Sequence, residues 1–303
     1  MLTQHYLARQ ISVPAFAARL NWLRTNDLNV RALWHLIGDE RIFEWAHSVG
    51  ITTDETLRSL VPPLPPLSLR RIAGGAPEAM YLLTGLQDAE LFLTAFAPHA
   101  LPGKIRALDF GCGSGRILRF FRALANYEVT GCDIHPDLVK WCADNMSGGD
   151  TVAAGVMPPL PFVDSHFDLV YAKSVFSHLS RQSSDAWIGE LARVTKPGGI
   201  ALITVMGYAT IDMLVRLEDR RKVFGLSLDE VTYLQTNLEN DLFWQKQLDA
   251  DSIERVQAGE DYGNAFIHPK FIETRWDAFD LVKILPGHMS GFQDLAILKR
   301  KAP

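Results

Sequence analysis

The sequence is poor in the residues that build metal sites and disulfide scaffolds. It has 3 cysteines in 303 residues, with no Cys-x-x-Cys spacing and no clustered histidines, so neither a zinc ribbon nor a cystine framework is expected. Cys112, Cys132 and Cys142 read instead as small packing residues, the usual role of a free thiol. No apolar run approaches the ~20 residues of a membrane span, and no basic amphipathic stretch suggests a membrane surface. Positive charge is scarce as well. Thirty Lys and Arg face 35 Asp and Glu for a net charge of −5, without the basic footprint of a nucleic-acid binder. The first residues, Met1 to Tyr6, lack the charged and apolar regions of a signal peptide, which makes the cytoplasm the expected compartment. There is no internal repeat. What remains is an ordinary globular composition, 48% hydrophobic and 21% charged, in a chain long enough for one large or two modest domains.

The most informative stretch runs from Ala107 to Arg116. A mostly apolar segment, Ile105 to Phe110, carries Asp109 near its end and feeds into Gly111, Gly113 and Gly115. Helical spacing follows through Ile117, Leu118, Phe120, Phe121 and Leu124. This predicts a buried strand, a tight turn and a helix start. Glycine suits such a turn because side chains would block a ligand approaching the backbone, and a helix start offers unpaired N–H groups to an anion. A dinucleotide turn of the form Gly-x-Gly-x-x-Gly requires a third glycine at 116 or 118. Those positions hold Arg116 and Leu118, and the pattern is Asp-x-Gly-x-Gly-x-Gly.

A second strand, Tyr127 to Ile134, contains Asp133, 20 residues beyond Gly113. A strand–helix–strand unit places a ribose-binding carboxylate there. Pro136 opens the next helix, through Leu138, Val139, Trp141 and Cys142. Thr151 to Gly155 and Phe167 to Ala172 are further strands. A helix from about Ser184 to Val194 then reaches Lys196-Pro197-Gly198-Gly199, before the strand Ile200 to Val205. Phe279 to Leu285 and Asp294 to Lys299 read as a closing hairpin.

The glycine motif and the succession "LPF…FDLVYA…ELARVTKPGG" resemble class I S-adenosylmethionine (SAM)-dependent methyltransferases of the small-molecule type. The resemblance is strongest over residues 104–207. It implies an α/β Rossmann-like fold: a mostly parallel seven-stranded sheet with a C-terminal β-hairpin. To this the sequence adds an N-terminal helical extension over 1–66 and, within the methyltransferase domain of 67–303, a helical insertion at about 209–262. Trp22, Trp34 and Trp45 in the extension read as helix-packing residues, and the run Val61 to Pro66 as a stiff connector. Two leading helices are expected, Glu78 to Leu83 and Asp88 to Ala97, separated by Thr84-Gly85.

The resemblance also implies a SAM site. Asp109, Phe110, Gly111, Gly113 and Gly115 would form the turn at the methionine portion, with Asp133 on the ribose. Ile134 and Met157 would pack on adenine, and Lys173 is a further candidate contact. The family often has an acid after strand three for the adenine amino group. Here Val156 and Met157 stand in that region, leaving adenine recognition to backbone groups. No metal site is expected. For a hydroxyl acceptor a base is needed, and His178 in Ser174-Val175-Phe176-Ser177-His178-Leu179 is the best placed; Tyr208, Tyr262 and His268 are secondary. Residues 171–174, Tyr-Ala-Lys-Ser, do not form the Asn/Asp-Pro-Pro-Tyr/Phe motif of amide and adenine methylation. Nor does a glutamate pair bracket that loop, as in protein arginine methyltransferases. The expected partner is thus a small-molecule acceptor, with no nucleic acid and no membrane. Two alternatives stay open: a SAM-binding protein that does not methylate, and a nicotinamide-dependent oxidoreductase.

Overall fold

A computed structural model describes residues 64–72, 78–100, 102–122, 124, 126–146 and 148–302. The expected extension helices, with their tryptophans, and the start of the proline run lie outside these residues. The chain divides into two compact units between Ala153 and Ala154.

In the first unit, α1 (Leu67–Ile72) and α2 (Glu78–Phe96) precede β1 (Ile105–Phe110). Then come α3 (Leu118–Arg122), β2 (Tyr127–Asp133), α4 (Pro136–Asn145) and β3 (Thr151–Ala153). The strands are parallel, with β2 between β1 and β3. Ile105 pairs with Tyr127, and Asp133 with Ala153. Five of the six β1 residues are buried, as a strand covered on both faces requires. Arg122 ties this layer together by donating to the carbonyls of Val129, Met146 and Asp150 at 3.3, 3.1 and 2.5 Å.

The two leading helices are one. α2 runs unbroken through Thr84 and Gly85, because tertiary packing uses the glycine for close approach rather than as a breaker. A Cβ at Gly85 would collide with the carbonyl oxygen of Arg116 and come within 3.0 Å of the Phe120 ring. Beside it, Arg116 pairs with buried Asp88 at 2.8 Å and reaches Thr84 Oγ1 at 3.3 Å. The helix after the glycine turn is also shorter than its apolar spacing predicts, spanning only Leu118–Arg122.

The second unit holds β4 (Phe167–Ala172), α5 (Arg181–Val194) and β5 (Thr195–Val205). Helices α6 (Tyr208–Arg216), α7 (Glu218–Val223) and α8 (Leu228–Asp241) follow. The chain continues through β6 (Phe243–Gln247), α9 (Ala250–Val256), β7 (Gly263–Ile267) and α10 (Pro269–Arg275) to β8 (Phe279–Met289) and β9 (Gln293–Arg300). β4 pairs parallel with β5, β5 antiparallel with β9, and β9 antiparallel with β8. β5 starts at Thr195, ahead of the expected Ile200, and Lys196 to Gly199 form a bulge within it: Thr195 faces Phe167 and Ile200 faces Leu169. α5 starts at Arg181, not Ser184, because Ser180 caps it by accepting from the Ser183 N–H.

Residues 209–262 hold α6 to α9, with β6 between α8 and α9. β6 and β7 form a separate antiparallel pair, Phe243 opposite Ile267 and Gln247 opposite Gly263. Phe243-Trp244-Gln245-Lys246-Gln247 has no alternation to announce a strand, and its partner lies beyond α9. Met206, Ile211, Leu214, Val231, Leu234, Leu238 and Phe266 build the insertion's core.

Seven strands of this kind, mostly parallel, interleaved with helices and closed by a C-terminal hairpin, are the Rossmann-like class I methyltransferase fold. Among the described residues no helix is long and apolar enough to cross a membrane.

The Gly85 contact gives a test. Alanine gains up to about 1 kcal/mol of helix propensity over glycine, while overpacking against rigid backbone costs about 1–3 kcal/mol. Gly85→Ala should therefore lower stability by on the order of 1 kcal/mol, read as an earlier urea midpoint at unchanged slope.

Candidate active site

The first unit supplies the glycine turn. Gly111, Gly113 and Gly115 have φ of 77°, 56° and 82°, the left-handed region that side chains disfavour. The N–H groups of Gly111 and Cys112 both donate to the Cys132 carbonyl at 2.9 Å, locking the turn to the end of β2. Gly115 has a second reason to be glycine: a Cβ there would strike Met146 Sδ and sit 3.2 Å from Cys142 Sγ. Tyr81 of α2 donates from its hydroxyl to the Ser114 carbonyl at 2.8 Å. Asp109 and Phe110 are buried at the end of β1 behind the turn.

Asp133 closes this arrangement. Its Oδ2 accepts from the Gly113 N–H at 2.8 Å and its Oδ1 from the His135 N–H at 2.9 Å. Burial pushes the carboxyl up, against the pull of those two hydrogen bonds, His135's first. Sequence spacing assigned this acid to a ligand alone; the structure also makes it a strut of the turn. The two uses are compatible. A carboxylate has about four acceptor sites in all, more than the backbone N–H groups of Gly113, His135 and Ile134 occupy. Ile134, half-buried, follows directly.

In the second unit, Val156 and Met157 are 44% and 42% exposed, with Trp187 Nε1 donating to the Val156 carbonyl at 3.1 Å. Large apolar side chains left this open are available to an apolar ligand surface. Lys173 is not a solvated lysine. It is buried at the end of β4, with its ammonium on Gln293 Oε1 and 5.9 Å from the Phe292 ring centroid.

His178 lies on the loop between β4 and α5. Its Nδ1 is 3.0 Å from the Gly263 carbonyl oxygen, and its ring stacks on Tyr262 with centroids 5.1 Å apart. A carbonyl only accepts, so Nδ1 carries the hydrogen and Nε2 is the basic nitrogen. Burial holds the imidazole below its usual range, and the Lys173 charge adds to this. The secondary candidates are otherwise engaged. His268 caps α10 by accepting from the Lys270 N–H at 3.1 Å, and Tyr208 packs edge-on against it.

Sequence reading missed two groups. Asp294, read only as a strand residue, is buried against Gly207 and accepts from the Gly287 N–H at 2.8 Å; burial pushes its carboxyl up to about 6. Gln293, beside it, holds Lys173. Neither had a spacing signal, since both meet their partners only through the β8–β9 hairpin. Among the described residues no three His, Cys, Asp or Glu side chains converge as metal ligands.

Residues 108–203 match the methyltransferase domain family. This stretch is a methyltransferase domain. SAM is its cofactor, and the turn fits it, with left-handed glycines that leave no side chain in the way and a carboxylate beside them that retains acceptor capacity. The methyltransferase domain is 36% identical over 108 residues to a tRNA (carboxymethyluridine(34)-5-O)-methyltransferase of Arabidopsis thaliana, covering 35% of this chain and 25% of that protein. It is 34% identical over 109 residues to a malonyl-[acyl-carrier protein] O-methyltransferase of Erwinia pyrifoliae, covering 36% and 40%. The chain thus spans well under half the length of these relatives. Among solved structures, a chain from the complex of the Haloferax volcanii Trm112 methyltransferase activator with a methyltransferase superposes with a TM-score of 0.51 at 15% identity. It covers 79% of this chain and 100% of its own, a likeness of fold.

Asp133→Ala removes the turn's strut and the carboxylate proposed for the ribose. Two charge-assisted hydrogen bonds are worth about 3 kcal/mol together, so S-adenosylhomocysteine should bind roughly a hundredfold more weakly by calorimetry. Asp133→Asn, which keeps one acceptor, should fall between.

Proposed function

We propose that this chain transfers the methyl group of SAM to an oxygen of a small acceptor, a metabolite, sugar or natural-product hydroxyl, with His178 as the base. The observation that carries this reading is the hydrogen bond from His178 Nδ1 to the Gly263 carbonyl. It turns a surface-loop histidine into an oriented imidazole of defined tautomer, and burial keeps that imidazole neutral near pH 7. The names of both relatives specify oxygen as the atom methylated. One of them acts on tRNA, but a net charge of −5 suits a polyanion poorly.

When bound, SAM supplies an activated methyl on a sulfonium, with a neutral thioether as leaving group. The chain's part is binding, orientation and one proton. Asp109, Phe110 and the three glycines shape the turn for the methionine portion, and Asp133 holds the ribose. Adenine is assigned to Ile134, Val156 and Met157, and Lys173 remains a candidate contact. Holding reactants in line provides most of the acceleration available to such a displacement. His178 Nε2 takes the hydroxyl proton as the oxygen becomes nucleophilic, a contribution typically of 10²–10⁴. The extension over 1–66 and the insertion are assigned to acceptor recognition.

The test is release of S-adenosylhomocysteine across a panel of hydroxyl acceptors. With the best one, His178→Asn should lower kcat by roughly a hundredfold or more while leaving S-adenosylhomocysteine affinity within twofold. Because the base must be unprotonated, kcat/KM should fall as pH drops through a pKa below the ordinary histidine value, and be flat above it. Tight SAM binding without product from any acceptor would instead describe a SAM-binding protein that does not methylate.

A further inference from the structure

The loop that carries His178 is held at its start by β5 and β9: the Ser174 N–H donates to Thr204 Oγ1 at 2.7 Å, and Gln293 meets Lys173 and Ser174. Around His178 itself a second set of contacts comes from Gln245 and residues 261–265. The Gly263 N–H donates to the His178 carbonyl at 2.8 Å, and the Gly263 carbonyl in turn accepts from His178 Nδ1 at 3.0 Å. One residue of the insertion thus fixes both the backbone and the ring of the histidine. The Ala265 N–H donates to the Ser177 carbonyl at 2.8 Å. Gln245 of β6 bridges the two sides through Nε2, donating to the Asp261 carbonyl at 2.9 Å and the His178 carbonyl at 3.4 Å. Tyr262, between these anchors, stacks its ring on the imidazole at an interplanar angle of 23°.

Asp261 secures the far end of the grip. Its Oδ2 accepts from the Ser180 hydroxyl, and from the Ser183 hydroxyl at 2.7 Å. Ser180 is the cap of α5, so the carboxylate sits where the helix's positive end favours a negative charge. The hydrogen bond from Ser180 holds Asp261 below the usual carboxylate range, so it is ionised at neutral pH. Gly263 is required by close approach: a Cβ would collide with the Lys246 carbonyl and lie 2.7 Å from Gln245 Nε2. That proximity brings its carbonyl to the imidazole.

We infer that Asp261, Tyr262 and Gly263 are positioning residues, a clamp by which the insertion selects the Nδ1–H tautomer of His178 and fixes the direction of Nε2. The inference deepens the assignment of His178 as base and takes its catalytic meaning from that assignment. An unclamped imidazole in water prefers the opposite tautomer and turns freely about χ1 and χ2. Here the Gly263 carbonyl demands a hydrogen on Nδ1, and the Tyr262 face restricts rotation. The titratable or charged groups around the ring are Lys173 on the β4 side and Tyr262 and Asp261 on the insertion side; Gln245, from β6, is neutral. Burial and Lys173 oppose an imidazolium and together outweigh the Gly263 carbonyl, which favours it, so loosening the clamp and admitting water should bring the ring's basicity up toward the ordinary value.

The decisive measurement is long-range ¹H–¹⁵N correlation NMR of the full chain labelled at histidine, with His178 identified by the signals lost in His178→Asn. The wild type should show His178 as the Nδ1–H tautomer, titrating below the usual 6.5. In Tyr262→Leu and Asp261→Ala the signals should move toward mixed tautomers and the midpoint toward that value. Tyr262→Phe, which keeps the stacking ring, should restore wild-type behaviour. S-adenosylhomocysteine affinity within twofold of wild type verifies folding in each variant. With an accepted substrate, kcat should fall roughly tenfold in the loosened variants, with the acid limb of its pH profile displaced upward. An unchanged tautomer and midpoint in both loosened variants overturns the clamp. A clamp seen by NMR with full turnover in His178→Asn supports the clamp and instead overturns the base assignment.

Discussion

The Asp133 carboxylate is the constraint on which the cofactor half depends. A parallel pair of strands ends with its last backbone groups unpaired, and here those groups are committed in a fixed pattern. The Cys132 carbonyl takes the N–H groups of Gly111 and Cys112, and the Asp133 side chain takes those of Gly113 and His135. Four donors are thereby held by two adjacent residues at the tip of β2. A turn of left-handed glycines would otherwise be the loosest part of the unit, since glycine loses the most conformational freedom on folding. Fastened this way, it presents a shaped backbone surface before any ligand arrives, which lowers the ordering cost of binding.

The second unit uses the same economy with different groups. His178 emerges from a loop, where a side chain is ordinarily free to choose its rotamer and tautomer. The insertion removes that choice through a backbone carbonyl, a stacked ring and a carboxylate on the cap of α5. The β6–β7 pair delivers them, because a two-stranded ribbon holds residues far apart in sequence in strict register. The capping box of Ser227 and Glu230, together with the Lys246–Glu230 ion pair at 2.8 Å, ties that ribbon to α8. A segment with no recognisable motif is therefore the support of the candidate base.

Local patterns were legible where chemistry and fold coincide. The acid and three glycines, Asp133 at its spacing, and Pro136 at a helix start all announce themselves, because each answers a local demand of backbone conformation or hydrogen bonding. The errors share a cause. Gly85 reads as a helix breaker until Phe120 and Arg116 are seen against it, and β5 reads as starting at Ile200 until Thr195 is seen paired with Phe167. In both places a neighbour distant in sequence overrode local propensity. β6 went unseen because its residues are aromatic and polar without alternation, and strand pairing is settled by partner rather than by sequence.

The sequence by itself determined the α/β class, the order of the main strands, the glycine turn and the identity of its carboxylate. These follow from periodicity and spacing along one chain, which are fixed before any long-range contact forms. Only the tertiary structure decided that Asp133 braces the turn with one oxygen and the entry to α4 with the other, that Lys173 is buried on Gln293, and that Asp294 lies against Gly207. It alone decided the tautomer of His178, since a ring nitrogen's proton is set by whichever acceptor lies within reach. Here that acceptor is a carbonyl 85 residues away.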